Sequence, residues 1–297
     1  MKTGKRILAF LLSAFLTIPL LGCSDGSAEL IERMTERMQN VQSARMDMSM
    51  DMSASAAGET IDLQMATQFA YIEDPLAMKM EMTVSSASES ESLTMYLQQT
   101  DSLFHAYIRQ GQEDWQHVAL PQAQLTGQIE QALNAPDTVT ALFDATQFRK
   151  AGTEQLDGVN TVKITGKLGA EAVTKLLLSS GLPENLADLD AADLEQLRAL
   201  IAQIGEISIT YWIDEPNAEL RKAEVDMTQA INGLLQKLSA QTEGQQGMQL
   251  QVLLNLIQID VCKVTVSYTD IDTLSSIDIP QDALDAPAQS AGDPSAI

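Results

Sequence analysis

Cysteine is nearly absent from this chain: Cys23 and Cys262 are the only two in 297 residues. Histidine is as scarce, with His105 and His117 alone. Such a chain has no disulfide framework and no histidine cluster for a metal. No metal-protease histidine pair, nucleophile elbow or phosphate-cradling glycine loop is present either. Without a nucleophile–base or metal constellation, no enzyme activity and no cofactor is expected. Positive charge is thin as well. Eighteen Lys and Arg stand against 41 Asp and Glu, for a formal charge of −23. That balance argues against nucleic acid and against anionic headgroups as partners. Aromatic residues make up only 4%. Long apolar runs are missing everywhere but at the start.

The start is what the chain does have. Lys2, Lys5 and Arg6 precede Ile7 to Leu21, a stretch without charge. It is shorter than the ~18–20 apolar residues of a spanning helix. A basic start, a short apolar stretch and a small residue before the cut describe a secretory signal. Leu20-Leu21-Gly22-Cys23 then resembles a bacterial lipoprotein lipobox, in which the cysteine is acylated and becomes the new N-terminus. The resemblance implies a signal peptide over 1–22, a lipidated tether over 23–27 and an extracytoplasmic chain held to a membrane through Cys23. A diacylglyceryl cysteine carries two acyl chains, which anchor stably where one does not. Cys262 then has no partner. It lies in the alternating stretch Ile259 to Val264 and reads as a buried structural thiol.

Periodicity organises the rest. Leu30, Met34, Met38 and Val41 predict a helix over Ala28 to Val41. The period then falls to two. Met46, Met48, Met50 and Met52 alternate with Asp47, Ser49 and Asp51. Further alternating runs follow at Ile61 to Phe69, Met78 to Val84, Leu93 to Leu97, Ser102 to Ile108 and Trp115 to Leu120. They predict six antiparallel strands with one apolar face each. Ser85 to Ser92 reads as a loop. Helical spacing appears over Leu125 to Leu133, with a second short helix from Asp137 to Phe143. Arg149 to Gln155 and Val159 to Leu168 predict a hairpin across Asp157-Gly158. Helices are expected at Ala170 to Leu178, Asp190 to Ile204 and Gln229 to Leu256. Glu206 to Asp214 and Leu220 to Thr228 form a second hairpin, and Ile259 to Tyr268 with Ser276 to Ile279 a last strand pair. Asp285 to Ile297 is rich in Pro, Ala, Gly and Ser and is expected to be a disordered tail. The domain is thus expected over 28–284, as an α+β fold: a strongly curved antiparallel half-barrel with helices packed on its concave face.

The lipobox, the first helix and the methionine-rich meander, with Ile207 to Asp214, Leu220 to Met227, Val266 to Asp272 and Ile277 to Pro280, resemble the LolA/LppX-like group of lipoproteins and lipoprotein carriers. The resemblance implies an unclosed barrel with an apolar concave face lidded by helices, and binding of lipids or other hydrophobic ligands.

Nine of the fourteen methionines fall in the first strands: Met46, Met48, Met50, Met52, Met65, Met78, Met80, Met82 and Met95. Residues i and i+2 share a face of a strand, so these side chains can merge into one surface. Methionine repacks easily around varied apolar ligands. Three readings stay open. The methionines line a ligand cavity; they fill an ordinary core in a structural or protein-interaction lipoprotein of the envelope; or their thioethers hold Cu(I). His105 is expected as a satisfied strand residue and His117 as solvent-facing. Trp115 and Trp212 are expected in core or edge roles. The acid pairs around Asp190 and at Asp270 and Asp272 read as caps and solvated loops, since their spacing matches no EF-hand.

Overall fold

The computed structural model describes residues 25–56, 58–100, 103–121, 148–169, 205–241 and 256–290. The leader, Cys23, the expected helices within 122–147 and 170–204, the end of the helix expected to reach Leu256, and residues 291–297 lie outside them.

Helix α1 (Ser27–Gln39) is followed by six strands: β1 (Ser43–Ala56), β2 (Glu59–Ile72), β3 (Ala77–Ser86), β4 (Ser90–Gln99), β5 (Leu103–Gln110) and β6 (Gln116–Pro121). The hairpins β7 (Arg149–Leu156) with β8 (Val159–Leu168), and β9 (Ile207–Asp214) with β10 (Glu219–Asp226), come next. Helix α2 (Thr228–Gln241), the long β11 (Ile257–Thr269), a single turn of helix α3 (Gln281–Leu284) and β12 (Ala288–Ser290) complete the chain. All strands join one open sheet in the order β12-β6-β5-β4-β3-β2-β1-β11-β10-β9-β8-β7. It is antiparallel throughout except where β12 runs parallel to β6. The result is the expected curved, unclosed half-barrel. Among the described residues no helix is long and apolar enough to cross a membrane.

Local chemistry explains the joints. At Asp157-Gly158 both residues have positive φ, 47° and 83°, as a tight hairpin between right-twisted strands requires. Helix α1 starts where Asp25 accepts hydrogen bonds from the backbone N–H groups of Ser27, at 3.0 Å, and of Lys150, at 2.8 Å. The Ser27 side chain foremost, and then these two bonds, lower the Asp25 carboxyl to about 2. Ser27 Oγ also donates to the buried Phe148 carbonyl at 3.0 Å, fixing the helix to the start of β7. The helix then buries Leu30, Ile31, Met34 and Met38 against Ile164, Tyr211, Ile213, Leu220 and Val266.

The ladder between β1 and β11 shifts register after Ser53, where Ala54 faces Ile259. Asn232 of α2 sits at this irregularity. Its Nδ2 donates to the Ile259 carbonyl at 2.7 Å, and its Oδ1 accepts from the Ile259 N–H at 2.9 Å. One amide thereby pairs both backbone groups of a buried β11 residue beyond Lys263, where the ladder with β10 has ended. Leaving both groups unpaired costs about 1–3 kcal/mol each. We expect Asn232→Ala to lower stability by about 2–4 kcal/mol in a denaturant titration; a loss under about 0.5 kcal/mol would show that the clamp is dispensable.

Three stretches differ from the sequence expectation. Ser85 to Ser92 is mostly strand: β3 runs to Ser86 and β4 begins at Ser90, leaving a three-residue turn. Ser276 to Ile279 forms no strand. After Asp270 and Asp272, both with positive φ, the chain passes to the other face of the sheet. There Ile277, Ile279 and Ala286 pack against Tyr96, Tyr107 and Trp115. The alternating isoleucines are satisfied by packing rather than by a ladder. Beyond 284, where a tail was expected, Ala288–Ser290 pairs with β6.

Candidate functional site

The register fixes which side chains share a face. Across β1, β2 and β3, the directly opposed residues form three rows: Met46–Phe69–Met80, Met48–Thr67–Met82 and Met50–Met65–Val84. Met52 faces Leu63, Met78 faces Tyr71 and Met95 faces Met80. Directly opposed residues of an antiparallel pair project on the same side. All nine methionines singled out from the sequence therefore lie on one face, across four adjacent strands. Asp47, Ser49, Asp51, Lys79 and Glu81 occupy the opposite, outer face.

The methionine face continues across β11. Met48 faces Val266, Met50 faces Val264 and Met52 faces Cys262. From there it reaches Ala223 and Val225 of β10 and Ile209 and Tyr211 of β9. This is the face against which α1 packs, and it is the inner face of the half-barrel. Its two halves differ. Over β8 to β11 it is largely packed beneath α1, with Ile31, Met34, Ile164, Tyr211 and Ile213 fully buried and Val225 and Val264 half-buried. Over β1 to β4 the nine methionines are half-buried. Cover also falls along the strands. Tyr71 and Phe69 are buried, Met65 is half-buried, and Leu63 and Ile61 reach 38% and 66% exposure at the far end of β2.

This inner face carries almost no charge. Among the described residues of β1 to β5, the only carboxylates or cations on it by register are Glu59 and Glu91, both exposed at strand ends. Three buried hydroxyls on the same face lack a hydrogen-bond partner: Thr67 Oγ1, Tyr71 OH and Tyr268 OH. Burial pushes both phenols up, foremost by desolvation, so they remain protonated donors. Tyr71 also feels Asp272 next after burial, and Tyr268 thereafter. The sequence held one hint of this, since Thr67 is the single polar residue in the alternating set Ile61, Leu63, Met65, Thr67, Phe69. The hydroxyls of Tyr71 and Tyr268 gave none.

The other candidates fall elsewhere. Cys262 is buried and unpaired, as expected, and burial raises its thiol, so it holds little of the reactive thiolate. Both indoles belong to the outer face. Trp212 Nε1 donates to Glu154 at 2.7 Å with Lys163 and Lys222 over its ring. Trp115 Nε1 donates to Asp282 at 2.9 Å beneath the Arg109 guanidinium. Asp272 ties the entry of β1 to α1: its Oδ1 accepts from the Gln42 N–H at 2.6 Å while Oδ2 pairs with Arg37 at 2.7 Å. Among the described residues no three His, Cys, Asp or Glu side chains are grouped to hold a metal.

His117 does not face solvent; it is buried on the outer face beneath the C-terminal segment. Tyr107 stacks on it at 4.5 Å, and its Nδ1 lies 3.3 Å from the Ala286 carbonyl. A carbonyl only accepts, so Nδ1 carries the proton and Nε2 accepts from His105 Nδ1 at 2.9 Å. Burial foremost, and then His117, push His105 below its ordinary value. The unfolded chain therefore takes up its proton at higher pH than the folded one. This stability is complete above the unfolded value near 6.5 and is lost as pH falls through the lower folded value. The expected result is a melting temperature that drops between pH 7 and pH 5 and flattens in His105→Gln. With only two histidines in the chain, a level profile in wild type would contradict this.

An open, curved antiparallel sheet whose inner face is sealed by a helix on one half and lined with thioethers on the other defines an α+β half-barrel with an apolar concave face. The chain belongs to DUF6612, a family of unknown function whose model matches residues 27–288. No curated protein matches it. Among solved structures it is similar to the lipoprotein LppX of Mycobacterium tuberculosis, at 15% identity over 84% of this chain and 97% of that one, with a TM-score of 0.39. It is also similar to LprF of Mycobacterium bovis, at 13% identity over 84% of this chain and 94% of that one, again with a TM-score of 0.39.

Proposed function

We propose that this chain is a non-catalytic extracytoplasmic lipoprotein, cleaved after Gly22 and anchored through acylated Cys23. Its methionine-lined inner face, formed by Met46, Met48, Met50, Met52, Met65, Met78, Met80, Met82 and Met95, binds a lipid or another hydrophobic ligand. The observation that carries this reading is the contrast between the two halves of one apolar face. The same sheet packs closely under α1, with Met46, Met48, Met78 and Met80 against that cluster, yet leaves Met50, Met52, Met65, Met82 and Met95 half-buried outside it. A core of ordinary purpose gains most from complete burial at ~25 cal/mol per Å². A surface that must admit apolar guests of varied shape gains from side chains that repack.

Native mass spectrometry of the chain recovered gently from cells tests this. Extra mass that organic extraction removes and that is identified as lipid is the expected result. A bound copper ion would assign the thioethers to metal instead. A clean mass would turn the reading toward a packed envelope protein with a protein partner.

A further inference from the structure

Among the described residues five large apolar side chains are exposed, and four of them are Ile61, Leu63, Leu256 and Ile257, at 66%, 38%, 48% and 38%. Exposed apolar residues scattered singly are ordinary, whereas a group of them marks a contact surface. The register groups these four. Ile61 faces Ala54 of β1, and Ile257 faces Ala56 from the other side of β1. Leu63 faces Met52, and Leu256 immediately precedes β11. The two alanines are too short to cover the branched side chains beside them. This is the end of the inner face towards which cover falls along β2.

Strand direction shows what else lies at this end. The neighbours from β2 through β1, β11, β10, β9 and β8 to β7 are all antiparallel. Hence β2, β11 and β7 run the same way, and all three begin at one end of the sheet. The N-terminal tether is fixed at that same end. Asp25 accepts from the N–H of Lys150, the second residue of β7, and Ser27 Oγ donates to the Phe148 carbonyl just before that strand. Cys23 is two residues from Asp25, a reach of at most about 7 Å. Four strand spacings separate β7 from β11, about 19 Å along the sheet. One flat surface can therefore meet both the acylated cysteine and the apolar group.

Charge selects the kind of surface. Glu59, Asp62 and Asp260 stand exposed beside the apolar group. Residues 53–65 and 256–262 hold no Lys or Arg. Anionic headgroups offer this end no attraction, and it enters a membrane interface through apolar area alone.

We infer that the end of the sheet formed by the starts of β2 and β11 docks on the bilayer that holds the Cys23 acyl chains, with Ile61, Leu63, Leu256 and Ile257 in its interface. The acyl chains hold the protein there; the apolar group sets its orientation, with the open end of the methionine face towards the lipid. This rests on the lipid anchor proposed above and adds a contact that the anchor alone does not provide.

The test uses the full acylated chain, purified from cells and reconstituted into phosphatidylcholine vesicles that carry a nitroxide-labelled lipid. An environment-sensitive fluorophore is attached at Ile61→Cys, at Glu59→Cys or at Asp74→Cys, the last in the turn at the other end of β2; Cys262 is buried and stays unlabelled. The labels at 61 and 59 should shift to the blue and lose most of their emission to the nitroxide, while the label at 74 keeps its own. Ile61→Gln with Ile257→Gln changes two exposed side chains, so the melting temperature should hold, and the label at 59 should regain its emission. Equal quenching at 59, 61 and 74, or none at any of them, would overturn the inference while leaving an anchored lipoprotein. Labels at 59 and 61 that are already shielded in the soluble Cys23→Ser chain, before lipid is added, would give this end to a second copy of the chain and overturn it as well. A purified chain without acyl mass would instead remove the anchor, and with it the lipoprotein reading on which the inference rests.

Discussion

Met34→Ala is expected to lower the folding free energy by about 3 kcal/mol, within the ~2–5 kcal/mol of large-to-small core changes. Met34 is fully buried at the centre of α1, facing the solid half of the sheet. Its removal leaves a cavity that the long strands of β8 to β11 close only in part. Met50→Ala, Met65→Ala and Met82→Ala are a different case. Their side chains are half-buried and stand outside the principal packed cluster. Each should cost under about 1 kcal/mol, in proportion to the smaller area it hides. Combined, the three should weaken binding of an apolar probe at least tenfold, since each removes most of a thioether side chain from one surface. Chemical denaturation and probe titration on the four single variants and the combined one separate the two roles of methionine in this chain. If Met50, Met65 and Met82 prove as costly as Met34, the inner face is core throughout, and the ligand reading loses its main support.

Cys23→Ser should move the protein from the membrane fraction to the soluble one almost completely. Two acyl chains contribute about 0.8 kcal/mol per buried CH2, far more than any other membrane contact the described residues offer. The acidic outer face adds no attraction to anionic headgroups. Fractionation of cells, with metabolic labelling by a fatty acid, gives the readout. Serine at 23 should abolish both label and membrane association. Retention of the variant in the membrane fraction would show that something other than Cys23 holds it there. Because the substitution lies outside the family-matched region, 27–288, ligand binding by the folded domain should be unchanged.

Much of the sheet was legible because it is built from hairpins. Neighbouring strands β1 to β6 follow one another in the chain, and each announces itself by a period of two and a turn. Val159 to Leu168 was read with its observed limits, since Asp157-Gly158 fixes where one strand must stop and the next begin. The common face of the methionines was legible in part. Within β1, alternation alone places Met46 to Met52 together. That Met65, Met80 and Met95 join them depends on pairing register, which the turns set residue by residue.

What the sequence by itself determined is local: a first helix, read over Ala28 to Val41 and found at Ser27–Gln39, most of the strands, and their apolar sides. Each follows from spacing over a few residues, where backbone geometry decides which side chains share a face. The tertiary structure alone decided the rest. It brought β11 beside β1 across some two hundred residues, joining a solid half and a yielding half into one face. It carried Ile277 and Ile279 to the outer side, where a strand had been expected, and buried His117 under Ala286. It left Thr67, Tyr71 and Tyr268 without partners. An alternating pattern states only that one side of a strand avoids water. Whether a helix, a neighbouring side chain or a guest molecule meets that side depends on contacts between segments far apart in the chain, and no local period encodes them.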